Sequence, residues 1–106
     1  MKMPYAAFAA AALAALALPS AADDQLALAE KSGCTACHSV DRKIVGPAFK
    51  DVATKYRGDD GAEARLVKKV EEGGGGVWGD IPMPPNGSVV DDADVKKLVQ
   101  WILSLK

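Results

Sequence analysis

The stretch Cys34-Thr35-Ala36-Cys37-His38 holds both cysteines and the only histidine of the 106-residue chain. Every thiol and imidazole the protein owns lies within five consecutive positions, and any fold must bring that cluster to one place. What the cluster means depends on the redox compartment, because thiols persist in reducing compartments and pair or react in oxidising ones. The N-terminus supplies the compartment. Lys2 is the only charge before Asp23, and Tyr5 to Leu18 is an unbroken apolar run of 14 residues. A bilayer span needs about 20 such residues, whereas this length suits the core of a secretory signal. Pro19 breaks the run, and Ser20-Ala21-Ala22 offers the small residues of a cleavage site. The expected product is an exported, periplasmic protein cleaved after about Ala22. The competing reading is an uncleaved N-terminal anchor helix.

Removal of residues 1–22 leaves 84 residues and takes the formal net charge from −1 to −2, since only Lys2 is lost. A single domain of that size buries only about 60% of the surface its unfolded chain exposes, and such domains commonly need a staple. Large apolar residues are few: Phe49, Tyr56, Trp78, Trp101 and a modest set of Leu, Ile and Val. The near-neutral charge and the lack of a basic stripe argue against nucleic acid as a partner. One small domain over residues 23–106, monomeric and without membrane insertion, is the expectation.

Periodicity predicts an all-α domain of about four helices. Asp23 to Ser32 carries acids in its first turn and ends at Gly33. Phe49, Val52, Ala53 and Tyr56 share one helical face between Pro47 and Gly58. Ala62 to Glu72 is expected to bury Leu66, Val67 and Val70 and to stop at the glycine run 73–76. The last helix, from about Asp91 to Leu105, places Val95, Leu98, Val99, Ile102 and Leu105 on its buried stripe. Between the third and fourth helices, "GGGGVWGDIPMPPNGSVV" is too rich in glycine and proline for a regular element. It is also too apolar for an idle surface loop, and long irregular loops in small domains tend to be functional. A flexible linker is the alternative, but no second domain follows for it to join.

Four readings of the opening cluster compete. A thioredoxin-type disulfide calls for a βαβ setting that this helical pattern lacks. A zinc site wants four ligands where only three soft or imidazole groups exist. Two incidental buried thiols suit a secreted chain poorly. The fourth reading is Cys-x-x-Cys-His, the attachment signal of a c-type haem. Two thiols three residues apart can each add to a vinyl group of one porphyrin, and His38 can then bind the iron. The macrocycle would also supply the apolar body that the short chain lacks. The second axial position falls by elimination to Met83, the one methionine outside the signal, set among Pro82, Pro84 and Pro85. Core filler is the usual role of methionine, but His/Met ligation is the electron-transfer pairing.

The segments "CTACH", "VGPAFKDVATKY", "GVWGDIPMPPN" and "LVQWILSLK" together resemble the class I monohaem cytochromes c of bacteria, the small cytochrome c-551 group. The resemblance spans residues 23–106. It implies a globular all-α fold wrapped around one haem c, with Cys34 and Cys37 as thioether attachments and His38 and Met83 as axial ligands. It further implies that the Pro47 carbonyl accepts a hydrogen bond from the His38 ring, that Asn86 bonds near the Met83 sulfur, and that Trp78 reaches a haem propionate. Where relatives often carry an arginine, this chain has Lys68 and Lys69, and Lys69 is the expected propionate partner. The function implied is a one-electron carrier and not an enzyme. Its donor would be a bc-type complex and its acceptor a nitrite reductase, a terminal oxidase or a cytochrome c peroxidase. The rival is a haem enzyme or gas sensor with a displaceable Met83.

Overall fold

The computed structural model describes residues 21–106, so the apolar run and the signal expected over 1–22 fall almost wholly outside the described residues. Within them lie four helices: α1 (Ala21–Lys31), α2 (Phe49–Lys55), α3 (Ala62–Glu72) and α4 (Asp92–Ser104), with a short 3-10 turn at Cys34–Ala36. Among the described residues β-pairing is limited to two isolated bridges, His38 with Lys43 and Gly74 with Met83. The all-α expectation therefore holds, with helix bounds within two residues of those read from periodicity.

Local chemistry accounts for where the helices stop. Gly33 adopts a left-handed conformation (φ 83°), and its N–H donates to Glu30 O at 3.1 Å, ending α1 immediately before the cysteines. Pro47 and extended Ala48 precede α2. At the end of α3, Gly73 has φ 75°, and its N–H donates to Lys69 O at 2.7 Å. Asp92 and Asp94 occupy the first turn of α4, where their charge complements the helix dipole.

Helix α4 is the hub and packs on α1, α2 and α3. One side of it joins Ala29 of α1 and Phe49 of α2 through Leu98 and Trp101. Its other side, Val95 and Val99, meets Val90 and the partly buried Leu66, Val67 and Val70 of α3. Trp101 thus belongs to the buried face although it lies outside the simple apolar stripe of α4. The stripe of α3 is only half-buried, and Ala62 is that helix's one fully buried residue. The reason is geometric: Leu66 and Val70 line a cavity that lies between α3, α4 and the loops. The largest fully buried side chains are two valines, Val95 and Val99. The polypeptide alone makes a thin core.

Candidate haem site

The Cys34–Ala36 turn folds the opening motif into a compact unit. The N–H groups of Cys37 and His38 both donate to Cys34 O, at 3.2 and 2.9 Å. Both thiols and the His38 ring consequently line one cavity of about 250 Å³. The thiols are not bonded to each other. Among the described residues no three His, Cys, Asp or Glu side chains converge on a metal position. Burial pushes the Cys34 thiol above its ordinary range, partly offset by a backbone hydrogen bond.

The segment after the motif returns over it. Val45 and Gly46 donate backbone N–H bonds to Cys37 O (3.2 and 2.8 Å), and Phe49 and Lys50 donate to Ser39 O and Val40 O (2.9 and 3.1 Å). That zipper brings Pro47 O within 2.8 Å of His38 Nδ1. With Nδ1 donating there, Nε2 is left with a free lone pair, the form a metal-binding imidazole requires. Gly46 lies so close to the ring that a Cβ at this position would fall 2.8 Å from Nδ1 and 3.0 Å from Nε2.

Met83 comes to the same cavity from the irregular loop. The loop is held by backbone bonds in both directions between Gly74 and Met83, N–H to O at 3.0 and 2.9 Å. Its far end is fixed to α3, where Asn86 N–H donates to Val70 O at 2.9 Å and Gly87 N–H to Glu71 O at 3.0 Å. The Asn86 side-chain amide donates to Pro84 O at 2.9 Å and Val70 O at 3.3 Å. Asn86 does not line the cavity; its amide braces the loop that carries Met83.

Trp78 and Lys69 stand at the cavity, while Lys68 does not. Lys69 reaches over Gly74, where a Cβ would come within 2.9 Å of its Nζ. The ammonium of Lys55 sits 5.5 Å from the Trp78 ring centroid, a cation–π distance. The remaining lining is predominantly apolar, with Phe49, Val52, Leu66, Val70, Leu98 and Ile102. Two thiols, an imidazole and a thioether thus face a single apolar space, a donor set and a wall that suit a porphyrin bound through both sulfurs.

A cytochrome c family model matches residues 26–106. The chain belongs to the cytochrome c family. Cytochrome c-551 of Allochromatium vinosum is 64% identical over 87 residues, covering 82% of this chain and 90% of that protein. Cytochrome c-551 of Pseudomonas aeruginosa is 51% identical over 85 residues, covering 80% of each. The crystal structure of wild-type Nitrosomonas europaea cytochrome c552 superposes with a TM-score of 0.73 at 54% identity, covering 76% of this chain and 99% of that one. This cytochrome c is a class I monohaem electron carrier rather than an enzyme, and its two cysteines serve one covalently bound haem c.

Two contacts of this site escaped the sequence reading. Phe49 stacks on the His38 ring, with centroids 5.2 Å apart and planes at 22°, whereas its spacing in the sequence marks it only as a helix-face residue. The Gly74–Met83 bridge was likewise hidden, because a run of four glycines carries no pairing signal.

Proposed function

We propose that this cytochrome c is exported, cleaved near Ala22, and shuttles single electrons in the periplasm through a haem iron held by His38 and Met83. The observation that carries this reading is the shared cavity of Cys34, Cys37, His38 and Met83. Cys34 and Cys37 would hold the haem as thioethers, each S–H adding across one vinyl double bond. His38 Nε2 would bind the iron, with Pro47 O helping to orient the ring through Nδ1. The Met83 thioether, a soft neutral donor, would favour the reduced iron and raise its potential. Trp78 and Lys69, both lining the cavity, would donate to the propionates, and Asn86 would steady the loop behind Met83.

The reading is tested on protein recovered from a periplasmic extract. It should begin near Asp23, show the near-infrared sulfur-to-iron charge-transfer band when oxidised, and leave its reduced spectrum unchanged under CO. Met83→Ala should lose the band, bind CO, and drop in potential by more than about 59 mV, the tenfold step of a one-electron couple. A parent that lacks the band and binds CO would make Met83 core filler.

The partners in this proposal are a bc-type donor and an acceptor such as a nitrite reductase, a terminal oxidase or a cytochrome c peroxidase. The docking face is the exposed apolar ground beside the cavity mouth, where Ile81 is 67% and Val45 45% exposed. Lys43 lines the same cavity, and Lys50 is paired with Asp41 at 2.7 Å. Lys43 is therefore the freer rim charge. Weak redox encounters need small interfaces and fast release. Ile81→Glu and Lys43→Glu should each slow association with an acceptor, the lysine change most at low salt. Stopped-flow rates equal to the parent for both variants would move docking to another face.

A further inference from the structure

We infer that Phe49 is a positioning residue for His38: its ring, stacked on the imidazole and backed by Trp101, fixes the plane that the imidazole presents to the haem iron. The inference rests on His38 being an axial ligand and asks what sets its orientation.

An imidazole bound through Nε2 can still turn about its bond to the iron, and the Cβ linkage and one hydrogen bond at Nδ1 resist that turn only along one edge of the ring. The Nδ1 contact with Pro47 O at 2.8 Å is one such restraint, made at the ring's edge. A plane is fixed by contact with a face. Phe49 supplies that contact, with centroids 5.2 Å apart and only 22° between the planes. Gly46 closes the surroundings, since even one added carbon there would strike the ring.

Phe49 is itself buried and packed. It is 3% exposed, and the ring of Trp101 meets it edge-on, with centroids 5.6 Å apart and planes at 70°. Its N–H donates to Ser39 O at 2.9 Å, so the stacking ring is tied to the residue directly after His38. The backbone that carries the imidazole and the backbone that carries its stacking partner are therefore hydrogen-bonded to each other. Trp101 then links them to α4, the helix on which the other three pack. A phenyl ring carries no charge and no hydrogen-bonding group, so a change in ligand-plane orientation is the signature that separates positioning from packing. In oxidised low-spin iron the axial ligand planes set the distribution of the unpaired electron. That distribution is read in the g values and in the spread and order of the four haem-methyl resonances.

The test uses the haem-loaded protein. Phe49→Leu keeps an apolar side chain but removes the flat face, whereas Phe49→Tyr keeps the face. The expected result is a retained near-infrared band in both, a changed largest g value and a reordered haem-methyl pattern in Phe49→Leu, and the parent pattern in Phe49→Tyr. A Phe49→Leu protein with lowered Tm but parent g values and parent methyl shifts would reduce Phe49 to packing and overturn the inference. Should Phe49→Leu fail to accumulate, Trp101→Leu gives the same reading, because it removes the edge that holds Phe49 in place; parent g values there overturn it equally. Failure of the ligand assignment is separately visible, as a parent protein without the near-infrared band.

Discussion

At the scale of single residues the site is governed by how little room surrounds His38. Gly46 has no unusual backbone conformation, so its importance is purely steric: a Cβ there would press on Cε1 and both nitrogens of the imidazole. Since backbone bonds from Val45 and Gly46 to Cys37 O hold this strand of chain in place, the ring and not the backbone would have to give. Gly46→Ala should therefore cost about 1–3 kcal/mol, the usual range for overpacking a fitted site. It should also weaken the His38–Pro47 hydrogen bond. Chemical denaturation followed at the haem absorbance measures the first effect, and the His38 Nδ1 proton resonance reports the second. A variant of parent stability would show that the loop yields easily.

At the scale of elements, the entry to α3 depends on one carboxylate. Asp59 Oδ1 accepts the N–H of Gly61 at 3.0 Å, and its other oxygen pairs with Arg65 across the first helical turn. The Arg65 side chain, first by hydrogen bonding, holds the Asp59 carboxyl below its usual range. A lowered folded-state pKa means the contribution is fully present above the unfolded value, about 3.9, and is lost as pH falls through the lower folded value. Asp59→Ala should lower Tm modestly at neutral pH, and the gap to the parent should close on acidification. A gap that stays constant down to pH about 2 would assign the effect to helix propensity instead. The helices themselves were legible because apolar spacing and terminal Gly, Pro and Asp obey local rules. The path of residues 73–87 was not. There the backbone pairs with distant partners, Gly74 with Met83 and Asn86 with Val70, and no local pattern encodes such a choice. Gly73 shows the cost of that path: with φ at 75° and Met83 O 2.5 Å from where a Cβ would sit, only glycine fits.

At the scale of the whole molecule, two small apolar clusters share α4 and leave a cavity between them and the loops. On one side stand Phe49, Leu98 and Trp101, on the other Val90, Val95 and Val99. Leu66, Val70, Leu98, Val99 and Ile102 all turn atoms toward the cavity. The half-buried stripe of α3 follows from the same fact, and sequence could not show it, because periodicity marks an apolar face without saying whether protein or cofactor covers it. Every helix but α1 contributes lining, and the 3-10 turn contributes Cys34. Without a large apolar body at the centre, those side chains would meet water on one face. A domain this short has little stability in reserve, of the order of 5 kcal/mol, and burial of each Leu, Ile or Val is worth about 1.5–3 kcal/mol. Leaving several of them wet should therefore unfold the chain. Cys34→Ala combined with Cys37→Ala, which removes both thioether bonds, should give a protein with little helical circular dichroism, no cooperative thermal transition and rapid proteolysis. The single variants should retain haem through the remaining sulfur and melt at intermediate temperatures. A haem-free double variant that stays helical and melts cooperatively would show instead that α1, α2, α3 and α4 can close on one another, and that the cavity is a property of the loaded protein alone.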